Sequence, residues 1–160
     1  MEQEARSRSE EVETVFRRIA ATRMEGVPIL NPALDVEAAA MEPWGEAMIL
    51  ALVTPWFINV MLLPSADESA QWEDMAVGQS TVHELPGGRF SFIAGREEGI
   101  GPYRMCSLFS PVLEFADHET ACATARAALA EMLRVEEPHN VRLSRRDLFR
   151  RAVHEEAKPA

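Results

Sequence analysis

Histidine, cysteine, serine and the carboxylates are the side chains from which catalysis or metal binding is built, and here they are thinly spread. The four histidines, His83, His118, His139 and His154, fall in unlike parts of the chain. His118 and Cys122 are four apart, a spacing that sets both on one face of a helix and would offer a metal two ligands. No third ligand is apparent, so no metal and no cofactor is expected; a buried Cys beside a surface His is the commoner arrangement. Ser107 and Ser110 with His118 have the chemistry of a nucleophile and a base, but nothing in their spacing fixes a geometry. Gly99-Ile100-Gly101-Pro102 resembles a fragment of a dinucleotide loop, yet it lacks the third glycine and precedes a strand, so it reads as a bend. Neither a Gly-x-Ser-x-Gly elbow nor a phosphate loop occurs. A binding protein is expected rather than an enzyme.

Three segments do not look like ordinary core. Asn31-Pro32-Ala33-Leu34-Asp35-Val36-Glu37-Ala38 sets Glu37 in an otherwise apolar strand. Thr54-Pro55-Trp56-Phe57-Ile58-Asn59-Val60 places two aromatics at a turn, and Tyr103–Pro111 runs on to Glu114-Phe115-Ala116-Asp117. Each joins aromatic or Met side chains to turn residues and a polar group. Taken singly, each reads as aromatics packing a turn onto the core.

Charge narrows the partners. The 160 residues carry a net charge of −10, which disfavours nucleic acid and anionic membranes and favours basic partners. Residues 1–133 hold 21 acidic against 9 basic side chains, whereas residues 134–160 hold 5 against 7. An acidic body therefore precedes an arginine-rich tail, and we divide the chain into a domain over 1–140 and a tail over 141–160. Two cysteines are too few for a disulfide framework, and the apolar runs are too short to span a membrane. With no hydrophobic leader at the N-terminus, a soluble cytoplasmic protein without membrane insertion is expected.

The elements that must position these residues follow from periodicity. Val12, Val15, Phe16 and Ile19 form one apolar stripe, predicting a helix over about Ser9–Met24 that Gly26 and Pro28 end. Ala47–Val53 and Ile58–Leu63 read as strands joined by a tight reversal at Thr54–Phe57, since Pro55 cannot donate to a sheet ladder. A polar loop over 64–74, with a short helix near Gln71–Met75, leads to strands at Gln79–Leu85, Arg89–Ala94 and Tyr103–Phe109. Gly87-Gly88 makes a hairpin of the first two, and Phe90 and Phe92 share a face. A final helix over about Asp117–Arg134 lays Ala121, Ala125, Ala128, Leu129 and Met132 on one side. The fold class is α+β: an antiparallel sheet flanked by N- and C-terminal helices in a single domain.

In this order and spacing the three segments resemble the HybE family of [NiFe]-hydrogenase assembly chaperones, which includes HupJ- and HoxT-type proteins. Thr54-Pro55-Trp56-Phe57 followed by Asn59 and Leu62-Leu63-Pro64 carries most of the resemblance, and Ser107-Leu108-Phe109-Ser110-Pro111 comes next. Some relatives have an added rubredoxin-type iron domain; this sequence lacks the cysteine pairs for one. The resemblance implies a maturation factor that attends the hydrogenase small-subunit precursor, with its twin-arginine signal, and possibly the large subunit. A signal peptide needs an apolar groove and carboxylates for its arginines. Trp56, Phe57 and Met61 are expected to line that groove, with Asn59, Ser107 and Phe109 beside them. Glu37, Glu114 and Asp117 are the expected arginine partners. Ser144-Arg145-Arg146-Asp147-Leu148-Phe149 itself looks like a twin-arginine pattern at the wrong end, so Arg145, Arg146, Leu148 and Phe149 form a candidate pseudo-ligand for the same groove. Two other readings stand beside this one: a scaffold for folded hydrogenase subunits, and a nickel or iron carrier using His118 and Cys122.

Overall fold

A computed structural model describes residues 2–135. The tail over 141–160 and its four pseudo-ligand residues lie outside that range. The first helix, α1 (Glu2–Ala21), starts earlier than its apolar stripe. Residues 2–8 lack apolar periodicity, but Glu, Gln, Ala and Arg are good helix formers and extend it. Six strands follow, β1 (Glu37–Trp44), β2 (Ala47–Val53), β3 (Ile58–Leu63), β4 (Ser80–Leu85), β5 (Gly88–Glu97) and β6 (Gly101–Phe109). A short helix, α2 (Ala66–Glu73), lies between β3 and β4, and α3 (His118–Met132) closes the described chain.

The strands form one antiparallel sheet in the order β1-β2-β3-β6-β5-β4. The α+β class and the flanking helices are as the sequence predicts. The short helix is displaced: it begins at Ala66 rather than Gln71, because Ser65 and Glu68 form a capping box that starts it. The strand β5 also continues three residues past Ala94.

Two cores occupy the two faces of the sheet. On one, α3 packs its alanines, Leu129 and Met132 against Ile49, Ile58, Val60, Leu62, Phe90 and Phe92. On the other, the α1 stripe of Val12, Val15, Phe16 and Ile19 meets Leu50, Leu52, Met61, Leu63 and Tyr103. The run Ile58–Leu63 is buried throughout because β3 has a helix on each side. By contrast β5 alternates buried and exposed positions and β4 half-buried and exposed ones, with Leu85, Phe90 and Phe92 inward on the α3 side and Val82, Ser91 and Ile93 outward on the α1 side. Gly87, in the β4–β5 turn, donates its N–H to the Met132 carbonyl at 2.8 Å and anchors the end of α3.

At the free edge of β1, side chains of α1 take the place of a neighbouring strand. Glu13 accepts the Ala38 N–H at 2.9 Å, and Arg17 donates to the Val36 carbonyl at 3.1 Å. A register shift between Ala38 and Ala40 and the presence of Pro43 further spoil that edge for pairing.

Candidate functional site

The three unusual segments meet at one end of the sheet, and Asn31 joins them. Its backbone N–H donates to the Pro55 carbonyl at 2.8 Å, and its side-chain amide donates to the carbonyls of Val112 and Phe115 at 2.9 and 2.8 Å. Buried and fully bonded, it ties the 31–37 segment to the β2–β3 turn and to the loop after β6. The turn is held by Thr54, whose N–H donates to the Phe57 carbonyl and whose hydroxyl accepts the N–H groups of Trp56 and Phe57. Asp117 caps α3 by accepting the Thr120 N–H at 2.7 Å, and that bond holds its carboxyl below the usual carboxylate range.

Of the expected groove residues, some face inward. Trp56 is 9% exposed and stacks with Phe16 and Phe57; Met61 is 0% exposed in the same cluster. These two do not line an open groove, because α1 lies directly over them. Phe109 is likewise buried, on the opposite face against Phe115. Phe57 is half-buried, packed edge-on to Phe16 with its centroid 5.8 Å away. Asn59 is 3% exposed and faces the α1 side, paired across strands with the half-buried Ser107; its Oδ1 is buried with no hydrogen-bond partner among the described residues. Glu114 and Asp117 are exposed and Glu37 is partly so, all at the end where the segments meet.

Sequence reading missed four contributors there: Arg17, Asp35, Leu113 and, as a partner of Glu37, His118. An open cleft of about 430 Å³ is lined by Arg17, Ala20, Asp35, Val36, Glu37, Pro55 and His118. Leu113 is more than half exposed on the loop beside Glu114. No local pattern joins these residues, which come from α1, the 31–37 segment, the loop after β6 and the start of α3.

The structure also supplies a third candidate ligand for His118 and Cys122. Nε2 of His118 lies 3.1 Å from Glu37 Oε1 and 3.3 Å from Cys122 Sγ. The backbone N–H of Asp35, however, points at Nδ1 from 3.0 Å. That donor claims the Nδ1 lone pair, so the neutral ring carries its proton on Nε2, the atom a metal would need bare. The trio is thus a hydrogen-bonded bridge between β1 and α3, with Nε2–H donating to Glu37. Nor is it a nucleophilic triad, since thiol and carboxylate meet the same ring nitrogen. Burial, with Glu37 nearby, pushes the Cys122 thiol up to about 11, far from a thiolate at neutral pH.

Against known families, residues 7–151 match the model described as "[NiFe]-hydrogenase assembly, chaperone, HybE". The chain belongs to the HybE family of hydrogenase assembly chaperones. This HybE-family chain is 36% identical over 149 residues to the hydrogenase expression/formation protein HupJ of Bradyrhizobium diazoefficiens, covering 88% of the chain and 85% of that protein. It is 38% identical to HoxT of Cupriavidus necator, covering 78% of the chain and 72% of HoxT. To the probable rubredoxin HupJ of Rhodobacter capsulatus it is 35% identical, matching 76% of this chain but 43% of that longer protein. The solution structure of HybE from Escherichia coli shares the fold, with a TM-score of 0.59, 22% identity and 86% of each chain covered. Among the described residues of this HybE-family chain, no helix is long and apolar enough to cross a membrane.

Proposed function

We propose that this chain binds the small-subunit precursor of a [NiFe] hydrogenase through its twin-arginine signal peptide, delaying export until assembly is complete. It acts by binding rather than by turnover, on the cytoplasmic side where the precursor is made. The observation that carries this reading is the meeting of the three segments at one acidic end of the sheet. Asp35, Glu114 and Asp117 are exposed there, and none forms an ion pair with another described residue. The half-buried Phe57 and the exposed Leu113 stand on the same linked segments. Carboxylates take guanidinium groups through paired, charge-assisted hydrogen bonds, and apolar neighbours suit the residues that follow the arginines in a signal. The raised pKa of the Cys122 thiol, and the His118 Nε2 that it shares with Glu37, favour binding over catalysis.

The test is calorimetric titration of a twin-arginine signal peptide against the wild-type chain and a Asp35→Asn/Glu114→Gln variant. Both positions are exposed, so the fold should persist. Affinity should fall at least about tenfold in the variant, and wild-type binding should weaken as salt rises. Replacing the peptide's arginines with lysines should also weaken it, because lysine cannot make the paired contact. Equal affinity for wild type and variant would remove the acidic end from the site.

A further inference from the structure

Among the described residues, the α1 side of the sheet is only half covered. Helix α1 lies over β1, β2 and β3, whereas β6, β5 and β4 turn Met105, Ser107, Ser91, Ile93 and Val82 to that same side. Val82 is 53% exposed and Ile93 52%, and Met105 and Ser107 are half-buried. Among the described residues, no charged side chain interrupts this strip on a protein whose net charge is −10. It runs between two ion pairs, Glu84 with Arg89 at one end of the strands and Arg23 with Glu97 at the other. At its β3 margin sits Asn59, nearly fully buried, with Oδ1 unpartnered among the described residues. A buried carbonyl without a donor is unusual in a native core and needs a reason.

We propose that this strip receives the apolar stretch of the client signal peptide, bound as a helix that starts beside Phe57 at the β3 margin and crosses β6, β5 and β4. The inference rests on the reading that the chain holds such a peptide, and it adds where the uncharged part lies. Three features select that occupant. An uncharged strip on an acidic surface suits an uncharged apolar segment, which loses no ionic solvation on docking. Its size also fits: three strand spacings span about 14 Å, the length of about ten helical residues, within the ~7–15 residues of a signal's apolar region. The third is polarity. A helix entering from the acidic end brings the free N–H groups and positive end of its first turn to the β3 margin. There a rotation of the Asn59 amide presents Oδ1 as the acceptor for one of those donors.

Peptide titration with a Val82→Glu/Ile93→Glu variant tests the placement. Both sites are half exposed and lie away from Asp35, Glu114 and Asp117, and circular dichroism checks that the fold is kept. The variant should bind the intact twin-arginine peptide at least tenfold more weakly than wild type. It should bind a peptide whose apolar stretch is replaced by Gly and Ser as wild type does. Unchanged affinity for the intact peptide overturns the placement, and leaves the chaperone reading standing if the Asp35/Glu114 variant still loses binding. A wild-type chain that binds neither peptide overturns both. A photoreactive residue within the apolar stretch should cross-link to β5 or β6; cross-links confined to α2 or α3 would also overturn it.

Discussion

Strands β1–β3 and strands β4–β6 belong to one sheet but meet different surroundings. The first three are covered by α1 on one face and α3 on the other, and every residue of β3 is buried. Their outer edge is plugged by Glu13 and Arg17. Among the described residues the second three are covered mainly on the α2–α3 side: Tyr103 of β6 reaches the α1 core, but Val82 and Ile93 face solvent. The first half is sandwiched between helices, whereas the second, among the described residues, leaves part of one face uncovered. The contrast places the rigid support, including Asn31 and the Thr54–Phe57 turn, directly beside an uncovered face.

That contrast can be broken by mutation. Leu52→Ala, in the covered half, should lower stability by about 2–5 kcal/mol, while Ile93→Ala on the bare strip should stay within about 0.5 kcal/mol. Urea unfolding measures both, and similar losses would mean the two halves are equally packed. Gly87→Ala should cost about 1–3 kcal/mol, because a Cβ there runs into the backbone carbonyls of Glu131 and Met132 at the end of α3. Thermal unfolding would show it; a neutral result would mean that α3 and the β4–β5 turn are not fixed to each other.

Unplugging the sealed edge is the next smaller change. Glu13→Ala leaves the Ala38 N–H without its carboxylate and should cost about 1–2 kcal/mol, with new self-association in sedimentation as the β1 edge opens. The smallest effect concerns the far half, where Arg104 stacks on the Trp72 ring at 4.1 Å and bonds His83 Nε2 at 2.8 Å. Burial, then the charge of Arg104, lowers the His83 pKa below its ordinary 6.5. The folded chain thus disfavours the protonated ring. As pH falls below about 6.5 the unfolded chain takes up the proton first, so stability declines until the folded ring titrates too. His83→Gln should flatten that part of the stability–pH curve, and an unchanged curve would place the acid sensitivity elsewhere.

Much of the fold was legible because its causes are local. The α1 stripe, the run of β3, apolar except for Asn59, and the alternation in β5 each report how many faces of an element are covered. The Ser65–Glu68 capping box was equally local but went unread, which put the short helix about five residues late. The candidate site was legible as three segments worth watching and no further. Trp56 and Met61 carry the apolar character of a groove, yet position under α1 made them core.

By itself, then, the sequence determined the elements, the acidic body and the family, all properties of neighbouring residues or of their order. The tertiary structure decided the company they keep. Glu37 and His118 meet across 81 positions, and Asn31 reaches Val112 across the same separation. The bare strip exists because α1 lies over β3 and not over β5. Local propensity acts over a turn or a strand, whereas strand order and helix placement depend on which long-range burial lowers the free energy of the whole chain.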